Sequence, residues 1–176
     1  SGGGITLSGG EPMFQPRFAL AILERCKSEG FHTALDTSGY APWKAYERAL
    51  PYVDLVLYDL KHIDPAAHRK YTGASNKLIL ENLVRIGESG VPIEIRMPII
   101  PGVNDGREDI EGAAEFLKGV RNITQVTLLP YHRFGEAKYE RLGREYKLKG
   151  LQPPAKERVE EIAEWIRSHG FKVQVS

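Results

Sequence analysis

Short runs of β-branched and apolar residues alternate with amphipathic stretches along the whole sequence. That alternation constrains the fold more than any other feature. Strands are predicted at Ile5–Leu7, Thr33–Asp36, Val53–Leu60, Ile93–Met97, Val126–Leu129 and Phe171–Val175. Between them, helical spacing predicts a helix from Pro16 to Glu29 with apolar positions Phe18, Ile22, Leu23 and Cys26. Pro42 opens a short helix to about Leu50, because proline suits a first helical turn. Asp64-Pro65 starts a helical turn, and further helices are predicted from Asn76 to Ser89, Gly106 to Leu117 and Pro154 to His169. Glycines 30, 90 and 170 stand where three of these helices should stop. Strand–helix alternation at this spacing predicts an α/β fold with a parallel sheet and helical crossovers. A doubly wound sheet and an α/β barrel both satisfy the pattern.

Size and charge narrow the class. The 176 residues suit one domain, 1–176, with a substantial core. The 24 basic and 23 acidic side chains leave a net charge of +1, which gives no electrostatic reason to expect nucleic acid or an anionic membrane as partner. No apolar run approaches a bilayer span and no charged-then-apolar leader is visible. The expected location is therefore cytoplasmic. The single cysteine, Cys26, excludes an internal disulfide framework and a thiolate cluster.

Parallel α/β folds bind ligands at the carboxyl ends of their strands. The predicted strand ends therefore mark a candidate site. The first runs into Ser8-Gly9-Gly10-Glu11, where two residues without Cβ let main chain approach a ligand. The second ends in Asp36-Thr37-Ser38, the third in Asp59-Leu60-Lys61-His62, and the fifth in Pro130-Tyr131-His132. The fourth carries Glu94 and Arg96, which are read as lying on opposite faces and so not paired with each other. Lys61 and Arg96 suit a carboxylate, while Glu11, Asp36 and Asp59 suit an amine. Together they fit a small zwitterion. Asp36 alone would equally suit an Asx turn, and His132 alone a loop histidine. His62 and His68 flank a turn and are expected to be solvated or capping. Cys26 lies on the predicted apolar face of its helix, as a small core residue would.

These residues resemble a known family. Ile5-Thr6-Leu7-Ser8-Gly9-Gly10-Glu11-Pro12 is similar to the glycine-glycine-glutamate-proline motif of radical S-adenosylmethionine (radical SAM) enzymes. Five further segments resemble the activating enzymes of glycyl radical enzymes, of the pyruvate formate-lyase activase type. They are His32 to Gly39, Tyr58 to His62, Tyr71 to Asn76, Ile100 to Asp105 and Leu128 to His132, in the family's order.

The resemblance implies a partial (β/α) barrel and two cofactors, S-adenosylmethionine and a 4Fe-4S cluster. It implies reductive cleavage of the first to methionine and a 5′-deoxyadenosyl radical, which takes hydrogen from a glycine of a partner glycyl radical enzyme. Flavodoxin or ferredoxin is the implied electron donor. Carried over, Gly9, Gly10 and Glu11 line the methionine amino end. Asp59 and Lys61 contact the ribose and carboxylate region, Arg96 the polar end and His132 the ribose side. Asp36, Thr37 and Asp59 match positions for a monovalent cation. The family's Cys-x3-Cys-x2-Cys loop has no counterpart here. The expectation is a fragment without its first β/α unit and inactive alone. The alternative expectation is a non-catalytic module that docks a glycyl radical enzyme.

Overall fold

A computed structural model describes residues 3–133, 143, 148 and 150–176. Its sheet has six strands: β1 (Gly4–Leu7), β2 (His32–Thr37), β3 (Leu55–Asp59), β4 (Ile93–Ile99), β5 (Ile123–Pro130) and β6 (Val173–Val175). They lie side by side in chain order, and every pairing is parallel. This order decides between the two architectures left open by the sequence. A doubly wound sheet reverses its strand order at a switch point. A sheet that always advances in one direction, with crossovers of one hand, curls as a barrel does. The architecture is an open, partial (β/α) barrel with β1 and β6 at its two edges.

Among the described residues the helices are α1 (Pro16–Ser28), α2 (Trp43–Ala49), α3 (Pro65–Thr72), α4 (Lys77–Glu88), α5 (Arg107–Lys118) and α6 (Lys156–Arg167). The period-two pattern of β4 separates the two sides of the sheet. Ile93, Ile95, Met97 and Ile99 are buried in the core with Ile79, Leu83 and Ile86 of α4 and Ile110 and Leu117 of α5. Glu94, Arg96 and Pro98 are half-buried on the other side. Glu94 and Arg96 thus share a face, contrary to the sequence reading, because residues two apart in a strand point the same way. They still do not pair: Glu94 accepts from Thr127 Oγ1 at 2.7 Å.

Several local expectations are corrected. The turn expected at Asp64-Pro65 is the two-turn helix α3, capped by Asp64, which accepts from the Ala67 N–H at 2.7 Å. β3 begins at Leu55 rather than Val53, because a 3-10 turn at Leu50–Tyr52 precedes it. Helix α1 buries Ala19 and Leu23. Phe18, one position before Ala19, is 64% exposed, and Cys26 is only half-buried. His62 and His68 are buried rather than solvated. The ring of His62 accepts from the Asp64 N–H at 3.1 Å and donates through Nε2 to the Val103 carbonyl at 3.2 Å. His68 Nδ1 donates to the Ala74 carbonyl at 2.8 Å.

Candidate functional site

The carboxyl ends of β1 to β4 enclose a cleft of about 340 Å³. Its floor and rim come from Ser8, Gly9, Gly10, Glu11 and Phe14 after β1, and from Asp36, Thr37, Ser38 and Tyr40 at the end of β2. Asp59 and Lys61 come from β3, and Arg96 from β4. The structure therefore brings together every predicted site residue except His132, which is exposed beyond β5 and does not line the cleft. Most of the long connection expected at Tyr131–Pro153 lies outside the described residues. A larger cavity of about 700 Å³ opens at the opposite, amino-terminal end, beside Val53, Asp54, Val91 and Pro92. Two acidic residues line it, Glu47 and Asp54, and Asp54 is already bonded to Lys27 and to the Thr33 main chain. Among the described residues, the 340 Å³ cleft gathers ionisable groups from the ends of β1, β2, β3 and β4.

The Gly9-Gly10 turn follows from its residue types. Gly9 has φ of +125°, open to glycine and strained for other residues. A Cβ added at either glycine would meet nothing within 4 Å, so the bare main chain borders open space. Glu11 is turned into the protein. Its Oε1 accepts from the Met13 N–H at 3.1 Å and the Thr37 hydroxyl at 2.8 Å. Its Oε2 accepts from the Ser38 N–H at 2.8 Å and the Ser38 hydroxyl at 2.6 Å.

The cleft's charges are interleaved. Asp36 Oδ2 accepts from Ser8 Oγ at 2.7 Å and pairs with Arg96 Nη1 at 3.0 Å. Asp59 stands opposite Arg96 in the β3–β4 register, and Lys61 Nζ lies 3.8 Å from its Oδ2. Burial pushes the Asp59 carboxyl above its ordinary range, against the pull of Lys61 and Arg96 and with the help of Asp36 and Glu11. The three residues expected around a monovalent cation all line the cleft. The Thr37 hydroxyl is committed, however: it donates to Glu11 and stands within bonding distance of the Gly39 N–H and the Tyr46 hydroxyl. Among the described residues no three His, Cys, Asp or Glu side chains are gathered to hold a metal ion.

Sequence reasoning missed the groups that hold these turns in place. Asn82, buried on α4, donates to the Gly39 and Ala41 carbonyls at 2.8 Å each, fixing the turn after β2. Asn104, also buried, donates to the Lys61 carbonyl at 2.8 Å and the Pro98 carbonyl at 2.5 Å, and accepts from the Ile100 N–H at 2.8 Å. It ties the end of β3 to the end of β4. The signal for Asn82 was available: an amide between Ile79, Leu83 and Ile86 at helical spacing must find partners.

A one-directional parallel barrel here carries a glycine-floored cleft of mixed charge at its strand ends. Residues 2–117 match the Radical SAM superfamily. A pyruvate formate-lyase-activating enzyme of Clostridium pasteurianum is 40% identical over 167 residues, covering 95% of this chain and 70% of the relative. The trans-4-hydroxy-L-proline dehydratase activating enzyme of Clostridioides difficile is 46% identical, covering 99% and 59%. The choline trimethylamine-lyase activating enzyme of Oleidesulfovibrio alaskensis is 43% identical, covering 99% and 57%. A crystal structure of a domain of a pyruvate-formate lyase-activating enzyme from Bacteroides vulgatus superposes with a TM-score of 0.84 at 32% identity, covering 99% of both chains. The chain belongs to the radical SAM superfamily, in its branch of glycyl radical enzyme activating enzymes. It spans 57–59% of the length of two of these curated relatives. The family uses S-adenosylmethionine and a 4Fe-4S cluster. Among the described residues no helix is long and apolar enough to cross a membrane.

Proposed function

We propose that this chain, as one domain over 1–176, forms the S-adenosylmethionine-binding part of an activating enzyme that makes a radical on a glycine of a partner glycyl radical enzyme in the cytoplasm. The observation that carries the proposal is the convergence of Gly9-Gly10, Asp36, Asp59, Lys61 and Arg96 on one cleft. These residues fit the amino acid end of the cofactor. The open Gly9-Gly10 main chain and the Asp59 carboxylate suit the amine, with Glu11 bordering that end. Lys61 and Arg96 suit the carboxylate, because both are cationic donors lining the cleft. Asp59 and Lys61 extend toward the ribose, and His132 is assigned to its outer side. Any monovalent cation beside the carboxylate falls to Asp36 and Asp59.

The cluster does not fit the residues present. A 4Fe-4S cluster needs several thiolates, and the sequence has one cysteine, half-buried on α1. We therefore assign no step of cluster chemistry to this chain, and expect none when it is tested alone. In the whole enzyme the cofactors would supply the redox chemistry, with electrons from a flavodoxin or ferredoxin. The residues above hold, orient and shield the ligand.

The test is anaerobic. The full reading frame, reconstituted with iron and sulfide and reduced, is expected to form 5′-deoxyadenosine and a glycyl radical signal on its partner. Arg96→Ala in the same protein is expected to raise the concentration of S-adenosylmethionine needed by about tenfold or more, the size of a lost charge-assisted hydrogen bond. Formation of neither product by the wild-type protein overturns the proposal.

A further inference from the structure

Glu11 is the acid nearest the Gly9-Gly10 turn, yet its carboxylate faces away from the role its position suggests. Four donors from two turns converge on its two oxygens. Met13 N–H belongs to its own turn; the Thr37 hydroxyl, Ser38 N–H and Ser38 hydroxyl belong to the turn after β2. The Thr37 hydroxyl sits between Glu11 Oε1 at 2.8 Å and the hydroxyl of buried Tyr46 at 2.9 Å. Since Thr37 donates to the carboxylate, Tyr46 donates to Thr37. Burial and the nearby Glu11 charge push the Tyr46 phenol well above its ordinary value, which keeps it a neutral donor. The chain Tyr46 → Thr37 → Glu11 thus has one polarity and ends in a carboxylate with four bonds already made.

We propose that Glu11 is a positioning residue, a clasp that locks the Gly9-Gly10 turn to the Thr37-Ser38 turn, and not the group that receives the ligand's amine. This rests on the reading of the cleft as an S-adenosylmethionine site, but the clasp exists without ligand. A carboxylate offers about four lone-pair directions. All four are filled from inside the protein, so taking an amine would require breaking a clasp bond. The consequence is a preformed wall. The bare glycine main chain is held against β2 before any ligand arrives, so less ordering is left to binding.

The experiment reads amide hydrogen exchange at Met13 and Ser38 in the ligand-free chain, together with calorimetric titration of S-adenosylmethionine. Glu11→Gln keeps the side chain's shape but places an NH₂ group against the donors of Ser38. The Ser38 amide is expected to exchange about tenfold faster or more, as for loss of a hydrogen bond to a charged group. Thr37→Val removes a buried hydroxyl whose bonds go to Glu11 and Tyr46. It is expected to speed exchange in the same direction and to weaken S-adenosylmethionine binding along with Glu11→Gln. Should Glu11→Gln fail to fold by circular dichroism, Thr37→Val and Ser38→Ala carry the same exchange measurement. Unchanged exchange at both amides overturns the clasp. So does weaker binding in Glu11→Gln with none in Thr37→Val, the pattern of a direct amine ligand. If wild-type chain binds no S-adenosylmethionine, the reading of the cleft fails while exchange still decides the clasp.

Discussion

Gly39 closes the Thr37-Ser38 turn, and replacing it by alanine should damage the site and the fold together. Its φ is +75°, where a Cβ is strained by about 1–2 kcal/mol. The added Cβ would also lie 1.7 Å from Tyr58 Oη and 2.3 Å from Tyr58 Cζ, distances no packed atom tolerates. Tyr58 cannot step aside freely. It is fully buried and donates to the Ile79 carbonyl at 2.6 Å. Moving it strands the buried Tyr58 hydroxyl, at about 1–3 kcal/mol. Moving the turn instead strains the bonds from Asn82 to the Gly39 and Ala41 carbonyls. The sum is about 2–5 kcal/mol, a large share of a typical domain's stability. Gly73→Ala is the matched control: φ is +82°, with nothing within 4 Å of the new Cβ, so only the strain of about 1–2 kcal/mol should appear. Urea unfolding followed by circular dichroism measures both. If Gly39→Ala costs no more than Gly73→Ala, the contact between this turn and Tyr58 is not as described.

Three further outcomes are expected. Asn104→Ala should destabilise by about 2–4 kcal/mol in urea unfolding, because it strands the Lys61 and Pro98 carbonyls and the Ile100 N–H; Asn104→Asp should cost more, by placing a carboxylate against two carbonyls. Asp59 and Asp54 should respond to pH with opposite signs. The raised Asp59 carboxyl opposes folding above its unfolded-state range, so Asp59→Asn should stabilise at neutral pH and lose that advantage as pH falls through the carboxylate range. Lys27 and the Thr33 N–H pull Asp54 down to about 2; its stabilisation is present above the unfolded value and lost as pH falls toward 2. Asp54→Asn should therefore cost about 1 kcal/mol at neutral pH, allowing for solvent screening, and progressively less as pH falls from about 4 through 2.

The strands and the rim of candidate residues at their ends were legible because they depend on short-range pattern. The apolar runs at Val56, Ile93, Ile95 and Val126 announce strands, and polar residues just beyond them announce a rim. What sequence left open was nonlocal. Winding direction separates a barrel from a doubly wound sheet only once the neighbours of each strand are known. The extent of α3 depends on His68 and Thr72 bonding within a turn that ends at Gly73. The buried face of α1 is set by what packs on Ala19 and Leu23, and Phe18 lies off that line. The direction of Glu11 was also hidden, because its partners are 26 and 27 residues away. Asn82 and Asn104 hold turns 41–43 residues distant through main-chain carbonyls, which no side-chain motif advertises.

We propose that the cleft at the ends of β1 to β4 takes S-adenosylmethionine. The direct measurement is a titration of the isotopically labelled chain with S-adenosylmethionine, followed by amide chemical shifts in nuclear magnetic resonance. Saturable shifts are expected at Gly9, Gly10, Ser38, Asp59 and Lys61, reduced by Arg96→Ala. Shifts confined to Val53, Asp54 and Val91 at the opposite end of the sheet, or none up to millimolar ligand, would contradict it.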